Sequence, residues 1–340
     1  MRRKRLAIFA CVVAAGAVAT GLAASAGSAH SSKTAAGNKI FFIPKFVGVP
    51  VFTQNSLGAK AAAAKLGDTI VYNGPTSASA AAQVPFINAA IQQGAKGIII
   101  SADDPNAVAP ALKRAMSKGI KVITYDADAQ ASARNLYVSD PTAKDIGMDQ
   151  VEWIGSEIGY KGQIAILSAA PTAANQNTWI AFMKQALKQP KYKNMKLVTI
   201  VYGNDDDTKS AQVMQGLLSA YPNLKGVISP TTVGVAAAAR VLQQAHKCGK
   251  VELTGLGLPS QMRAYIKAGC AKKVGLWDEY KLGYVAEYAA NAVISGKITG
   301  AKGQSFSVGK YGTRTVGANK TVIFDTPLVF TKANVDNYHF

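Results

Sequence analysis

The strongest constraint on the fold is an alternation that runs along almost the whole chain, in which short β-branched and aliphatic runs are separated by helical stretches. The strand-like runs fall at 40–44, 69–72, 97–101, 121–125 and 136–138, with amphipathic segments at 56–66, 80–93 and 106–118 between them. Buried runs of four to six residues separated by helices predict a mostly parallel sheet covered on both faces. Gly67, Gly94 and Gly119 follow the helices where a left-handed cap is wanted. The pattern then restarts. A helix at 142–158 leads to runs at 163–167, 197–201, 226–229, 251–256 and 272–277, separated by helices at 178–187, 208–220, 233–244 and 261–268. Parallel strands need right-handed crossovers, so the expected fold is α/β: two doubly wound, Rossmann-like parallel-sheet domains joined by a hinge.

The N-terminus has a separate purpose. Arg2, Arg3, Lys4 and Arg5 precede an apolar run, Leu6 to Ala23, closed by small residues at 24–29. That is the layout of a cleavable export signal, so the protein is expected outside the cytoplasm, periplasmic or associated with the cell envelope. The expected division is a signal over 1–29, a polar tether over 30–38, a first domain over 39–140 plus 280–300, and a second over 141–279 plus 301–340. A helix at 282–294 should cross back to the first domain, and the glycine-punctuated tail over 306–324 reads as a β hairpin.

The net charge is +19, and removal of the signal leaves 38 − 4 = 34 bases against 19 acids, or +15. The lysines are scattered and lack interleaved aromatics, which argues against nucleic acid and for an anionic envelope. Two cysteines survive processing, Cys248 and Cys270. Each precedes a predicted strand, and if those strands are parallel neighbours the sulfurs lie within bridging reach, as a disulfide rather than a metal site.

Several chemistries lack their parts. No Gly-x-Gly-x-x-Gly follows the first strand and no phosphate-cradling loop occurs, so no cofactor is expected. The histidines, His30, His246 and His339, are far from any serine or cysteine arrangement that needs a base. Asp126 with Asp103 or Asp278 is the one pairing that a glycosidase reading could use. Asp205-Asp206-Asp207 lacks the ligand spacing of a calcium loop and reads as the cap of the following helix. No metal and no catalytic residue is expected.

Ligands of doubly wound sheets bind beyond the carboxyl ends of the strands. In the first half those tips carry Lys45, Phe46, Phe52, Asp103, Asp104, Asp126 and Asp128. The second half offers Asn175, Gln176, the run Asn204 to Asp207, Pro230, Thr231, Thr232, Leu258-Pro259-Ser260, Trp277 and Asp278. Amides, carboxylates, hydroxyls and aromatics from both halves suit a neutral polyhydroxylated ligand whose ring face stacks on an aromatic.

These segments together resemble the type I periplasmic-binding-protein family, the solute-binding subunits of sugar ABC importers. The nearer likeness is to the branch holding rhamnose-binding proteins and receptors for the furanosyl quorum-sensing autoinducer. It rests on Phe42-Ile43-Pro44-Lys45, Gly74-Pro75-Thr76, the run from Ser101 to Ala107, that from Pro110 to Met116, Asn175-Gln176-Asn177-Thr178-Trp179, Gly255-Leu256-Gly257 and Leu276-Trp277-Asp278. The resemblance implies a monomer that closes two domains on one monosaccharide and delivers it to a membrane permease. In the autoinducer receptors the ligand-contacting positions align with Lys45, Asp126, Asn175, Gln176 and Pro230 to Thr232. Asn175 stands where they carry an acid and Thr232 where they carry alanine, so rhamnose is the expected ligand and the autoinducer the alternative. A secreted glycosidase-like enzyme is the rival of another class. A related repressor is disfavoured because an export signal stands where its DNA-binding segment belongs.

Overall fold

The computed structural model describes residues 37–79 and 81–340; the expected export signal and residues 30–36 of the tether lie outside them. The first lobe runs β1 (Lys39–Ile43), α1 (Pro50–Leu66), β2 (Thr69–Tyr72), α2 (Val84–Gln92), β3 (Gly97–Ile100), α3 (Pro105–Ser117), β4 (Lys121–Tyr125) and β5 (Leu136–Ser139). The chain crosses to the second lobe with α4 (Ala143–Ile158), β6 (Lys161–Ser168), α5 (Ala174–Ala186), β7 (Asn194–Tyr202), α6 (Asp207–Ala220) and β8 (Leu224–Ser229). That lobe continues through α7 (Thr232–Gln244), β9 (Glu252–Gly255), α8 (Pro259–Lys267) and β10 (Val274–Leu276). Then come α9 (Glu279–Ile294), β11 (Ser305–Ser307), β12 (Thr313–Thr315), β13 (Thr321–Ile323) and β14 (Leu328–Phe330).

The first sheet has the order β13-β5-β4-β3-β1-β2, every pair parallel. The second runs β7-β6-β8-β9, with β10 beside β9 through the parallel bridge Leu256–Gly275, and β14 antiparallel to β10. The two doubly wound lobes of the sequence reading are present. The strands are buried on both faces: Ile98, Ile99 and Ile100 of β3 and Ile164, Ala165 and Ile166 of β6 are inaccessible to solvent.

Helix α9 returns to the first lobe and lies against α1 with the backbones in close approach. A Cβ on Gly58 would sit 1.8 Å from the Tyr280 carbonyl oxygen, and one on Gly283 equally close to that of Asn55. Only glycine permits that approach.

Two expectations need correction. Helix α1 begins at Pro50 instead of residue 56, because proline suits a helix's first turn and Val49 is the extended residue before it. Phe52 is therefore a helical residue rather than a loop residue. The tail, assigned wholly to the second domain and read as one hairpin over 306–324, is divided. β11 and β12 form a short hairpin, β13 joins the first sheet beside β5, and β14 joins the second. Each sheet had an unpaired edge strand whose N–H and C=O groups needed partners, and the tail supplies one strand to each.

Candidate ligand-binding site

A cleft of about 520 Å³, its open mouth included, lies between the carboxyl ends of the two sheets. That size falls within the range of small-molecule sites. At its centre is Lys45, two residues past β1 and buried, with its Nζ 3.4 Å from Asp126 Oδ2. Asp126 follows β4 in a left-handed conformation, φ 54°, stabilised by its contacts. The Ser101 hydroxyl donates to its Oδ2 at 2.5 Å, and the Tyr137 hydroxyl donates to its carbonyl at 2.7 Å. Asn175 Nδ2, from the other lobe, donates to its Oδ1 at 3.2 Å. That last bond joins the lobes directly.

The second lobe presents a mostly neutral wall. Gln176 is fixed by two donors to its Oε1, the Ser168 hydroxyl at 2.7 Å and the Ala169 N–H at 2.8 Å, so the amide's own donors are aimed elsewhere. The Thr231 hydroxyl donates to Asp205, which stands with Asn204 in a left-handed turn. Pro230, Thr232, Val233, Leu256 and Leu276 complete that side. Two aromatic pairs flank the space, both edge to face. Phe46 and Phe52 lie 6.2 Å apart on the first lobe, and Trp179 and Trp277 lie 6.1 Å apart on the second.

The electrostatics are unbalanced toward acid. Burial alone would drive Lys45 toward its neutral form, but the Asp126, Asp205 and Asp103 carboxylates outweigh it and raise the ammonium above the ordinary lysine value. Burial pushes Asp205 up against the pull of Lys45 and the Thr231 hydroxyl. Glu279 is driven well above the carboxylate range by burial, with Asn55 opposing and Asp126 adding to it. Asn55 Nδ2 donates to Glu279 Oε2 at 2.7 Å and to its carbonyl at 2.8 Å. Two buried polar atoms on the cleft wall, Asn55 Oδ1 and Trp277 Nε1, make no hydrogen bond within the protein. A buried orphan of that kind costs free energy unless a ligand group meets it.

Of the residues expected from sequence, Lys45, Phe46, Phe52, Asp126, Asn175, Gln176, Pro230, Thr231, Thr232 and Trp277 line this cleft. Four do not. Asp104 caps α3, its Oδ1 accepting from the Asn106 and Ala107 N–H groups. Asp128 is clamped by both arms of Arg134 and by the Thr124 hydroxyl. Asp278 caps α9 by accepting from the Lys281 N–H at 2.9 Å. Asp103 is buried behind Lys45, its backbone N–H donating to Gln83.

Asn55, Trp179 and Glu279 line the cleft without having been expected, and so does Asp205, named at a strand tip but read as part of a helix cap. Trp179 is four residues beyond Asn175 on α5, which puts both on one helical face, and Asn55, three residues beyond Phe52 on α1, shares that residue's face. Asp205 was hidden in an acid run read as a cap, a role that Asp206 alone fills by accepting from the Lys209 N–H at 2.6 Å. Among the described residues no cluster of three or more His, Cys, Asp or Glu side chains is placed to hold a metal.

Cys248 and Cys270 lie beyond the opposite end of the second sheet with Cα atoms 4.2 Å apart and sulfurs at bonding distance, 1.98 Å. Among the described residues no helix is long and apolar enough to cross a membrane.

Residues 40–298 match the family model described as a periplasmic binding protein domain. Among solved structures, a sugar ABC transporter from Actinomyces odontolyticus is 46% identical with a TM-score of 0.72, the match covering 89% of this chain and 98% of that one. A solute-binding protein from Clostridium phytofermentans with bound L-rhamnose is 36% identical, TM-score 0.86, covering 89% and 98%. LsrB from Clostridium saccharobutylicum in complex with AI-2 is 28% identical, TM-score 0.84, covering 89% and 100%. Among curated proteins, the D-ribose/D-allose-binding protein of Pseudomonas aeruginosa is 23% identical over 260 residues, 71% of this chain and 77% of its own.

Proposed function

The chain belongs to the periplasmic-binding-protein family, and from that premise we propose that it captures a monosaccharide, L-rhamnose, between its lobes and delivers it to the permease of an ABC importer. The observation that carries this reading is the two-sided cleft, with the Lys45–Asp126 pair on one wall and the Asn175 and Gln176 amides beside Thr231 and Asp205 on the other. Lys45 and Asp126 offer a donor and an acceptor to vicinal hydroxyls, while Asn175 and Gln176 offer amides from the facing lobe. A deoxyhexose also carries a methyl group, which the Phe46–Phe52 and Trp179–Trp277 pairs match with apolar surface. The 36% identical relative holds L-rhamnose, which supports that choice over ribose.

The protein acts outside the cytoplasm, with Cys248 and Cys270 oxidised, and binds without turning its ligand over. Ligand binding stabilises the closed arrangement because only there do both lobes contact the sugar. Reception of the autoinducer AI-2 is the second reading, favoured by the relative in complex with it and by Lys45, Asp126, Gln176 and Pro230, cleft residues that the resemblance matches to the ligand contacts of the autoinducer receptors. Against it stands Asn175: an acid in its place would face Asp126 at the distance where the amide now donates.

Isothermal titration against L-rhamnose, L-fucose, D-ribose and AI-2 tests both readings. Micromolar binding, about −8 kcal/mol, of rhamnose alone supports the first. Binding of AI-2 alone replaces it with the second. No heat from any of them removes the deoxyhexose assignment.

A further inference from the structure

The charges of the second lobe are sorted by end. The carboxylates of Asp205, Asp206, Asp207 and Asp278 lie beyond the carboxyl ends of its strands, at the cleft side. The opposite pole, where those strands begin, carries exposed lysines. Lys161 opens β6, Lys193 and Lys196 bracket the start of β7, Lys225 is the second residue of β8, Lys250 precedes β9, and Lys272 precedes β10.

Strand register places them side by side. Lys161 pairs with Asn194, Lys196 with Gln163, and Gly226, next to Lys225, with Glu252. With strands about 4.8 Å apart, the row from β7 to β10 spans roughly 20 Å. The Lys225 stem lies over Gly162, where a Cβ would come within 2.6 Å of its Cγ. Few acids offset the row. Glu252 is taken by Lys272 at 2.5 Å and Glu152 by Lys191 at 2.7 Å. Glu157, whose carboxyl is pushed up to about 8 by burial and by Glu252, cancels little at neutral pH. Helix C-termini at the same pole favour some cations, but their partial charges do not call for one lysine at every strand start.

We propose that this pole binds a flexible linear polyanion of the cell envelope, a chain of closely spaced phosphodiesters. A flat anionic membrane fits less well, because the cleft opens at the opposite end of the lobe. A bilayer against the pole would turn the ligand site away from the membrane that holds the permease assigned above. A flexible polymer holds the protein at the envelope and leaves the cleft free. The binding surface itself does not depend on which sugar the cleft takes.

The test is binding of long-chain polyphosphate at rising salt, by fluorescence anisotropy, to the protein and to two variants of equal net charge. One carries Lys193→Glu, Lys196→Glu, Lys225→Glu and Lys250→Glu. The other carries Lys60→Glu, Lys113→Glu, Lys209→Glu and Lys302→Glu, exposed lysines away from the pole. The pole variant is expected to lose affinity on the order of a hundredfold at low salt and to flatten the salt dependence, while the control stays within a few-fold. Unchanged circular dichroism and melting show that each variant folds. Equal losses in both variants reduce the effect to net charge and overturn the site. Absence of polyphosphate binding overturns it too, as does a preference for phosphatidylglycerol vesicles over the polymer.

Discussion

In the first lobe the strands run β2-β1-β3-β4-β5 and in the second β7-β6-β8-β9-β10, so the crossovers diverge at equivalent places, between β1 and β3 and between β6 and β8. Ligands of such sheets collect at that divergence, and here the two are furnished differently. The first lobe supplies an ionic pair, Lys45 after β1 and Asp126 after β4, backed by Ser101. The second supplies a fixed amide, Gln176 locked by Ser168 and Ala169 after β6, and a hydroxyl, Thr231 after β8. One topology, used twice, thus gives a wall built on an ion pair and a wall of amide and hydroxyl groups whose one carboxyl, Asp205, burial pushes toward its neutral form. A ligand of many weak donors and acceptors needs both, since an all-ionic site favours charged solutes and an all-amide site discriminates little.

The sharpest way to break the contrast is to neutralise the ionic wall. Lys45→Met leaves Asp126, Asp205 and Asp103 facing one another without a cation. Removing one partner of a buried pair costs about 3 to 5 kcal/mol, so sugar affinity measured by calorimetry is expected to fall on the order of a thousandfold. A tenfold loss or less would mean that Lys45 is scaffolding and that the walls are not functionally distinct.

The lobes also differ in how deeply each buries a carboxyl remote from the cleft. Glu287 of α9, in the first lobe, is fully buried with no donor facing either oxygen, and burial, aided by the neighbouring Asp68 carboxylate, pushes it up to about 9. Its second-lobe counterpart, Glu157, is only partly buried. A raised carboxyl holds its proton when folded and releases it when unfolded. Its contribution is therefore intact below about pH 4.5 and is lost progressively as pH rises toward 9. Glu287→Gln removes that slope and should stabilise the protein at pH 7 by up to about 3 kcal/mol, with no gain near pH 4. Denaturant melts at the two pH values decide it. An equal gain at both would assign the effect to packing.

The twofold alternation, and with it the lobes and ten cleft residues, is legible in the sequence because β-branched runs and glycine caps report local periodicity. What sequence missed has identifiable causes. Starting α1 at Ser56 hid Asn55, since a proline that opens a helix looks like one that forbids it. Asp104, Asp128 and Asp278 follow strands as site residues do, yet caps and Arg134 occupy them, and a strand-tip carboxylate reads the same either way. The division of the tail between two sheets depends on which edges are unpaired, a property of the assembled fold and invisible in any local window.

The second lobe alone carries a cysteine pair, separated by 22 residues, at the base of β9 and β10. If it is oxidised, as proposed, closing that loop contributes roughly 3 kcal/mol on the chain-entropy account. Cys248→Ser with Cys270→Ser should lower the melting temperature and leave sugar affinity unchanged, because the pair lies at the end of the sheet away from the cleft. Reactive thiols in the exported protein, counted after denaturation, would show that no bridge forms.

The smallest expected effect probes where the two walls meet. Asn175 Nδ2 donates across the lobes to Asp126 Oδ1, a bond that the proposed opening of the cleft would break. Asn175→Asp replaces that donor by a carboxylate beside a carboxylate. Some of the repulsion is screened at the cleft rim and some is relieved by Lys45, so the closed state should weaken by about 1 kcal/mol, roughly fivefold in rhamnose affinity at pH 7. Protonating the introduced acid restores a donor, so the loss should shrink in acid. Adding Thr232→Ala reproduces the pattern of the autoinducer receptors at both departing positions, and AI-2 affinity should then rise as rhamnose affinity falls. A pH-independent loss would show that the amide acts on the sugar and not on Asp126. An unchanged ligand order in the double variant would place specificity on other cleft residues, first on Asp205, read from sequence as a cap, and on Glu279, which sequence missed.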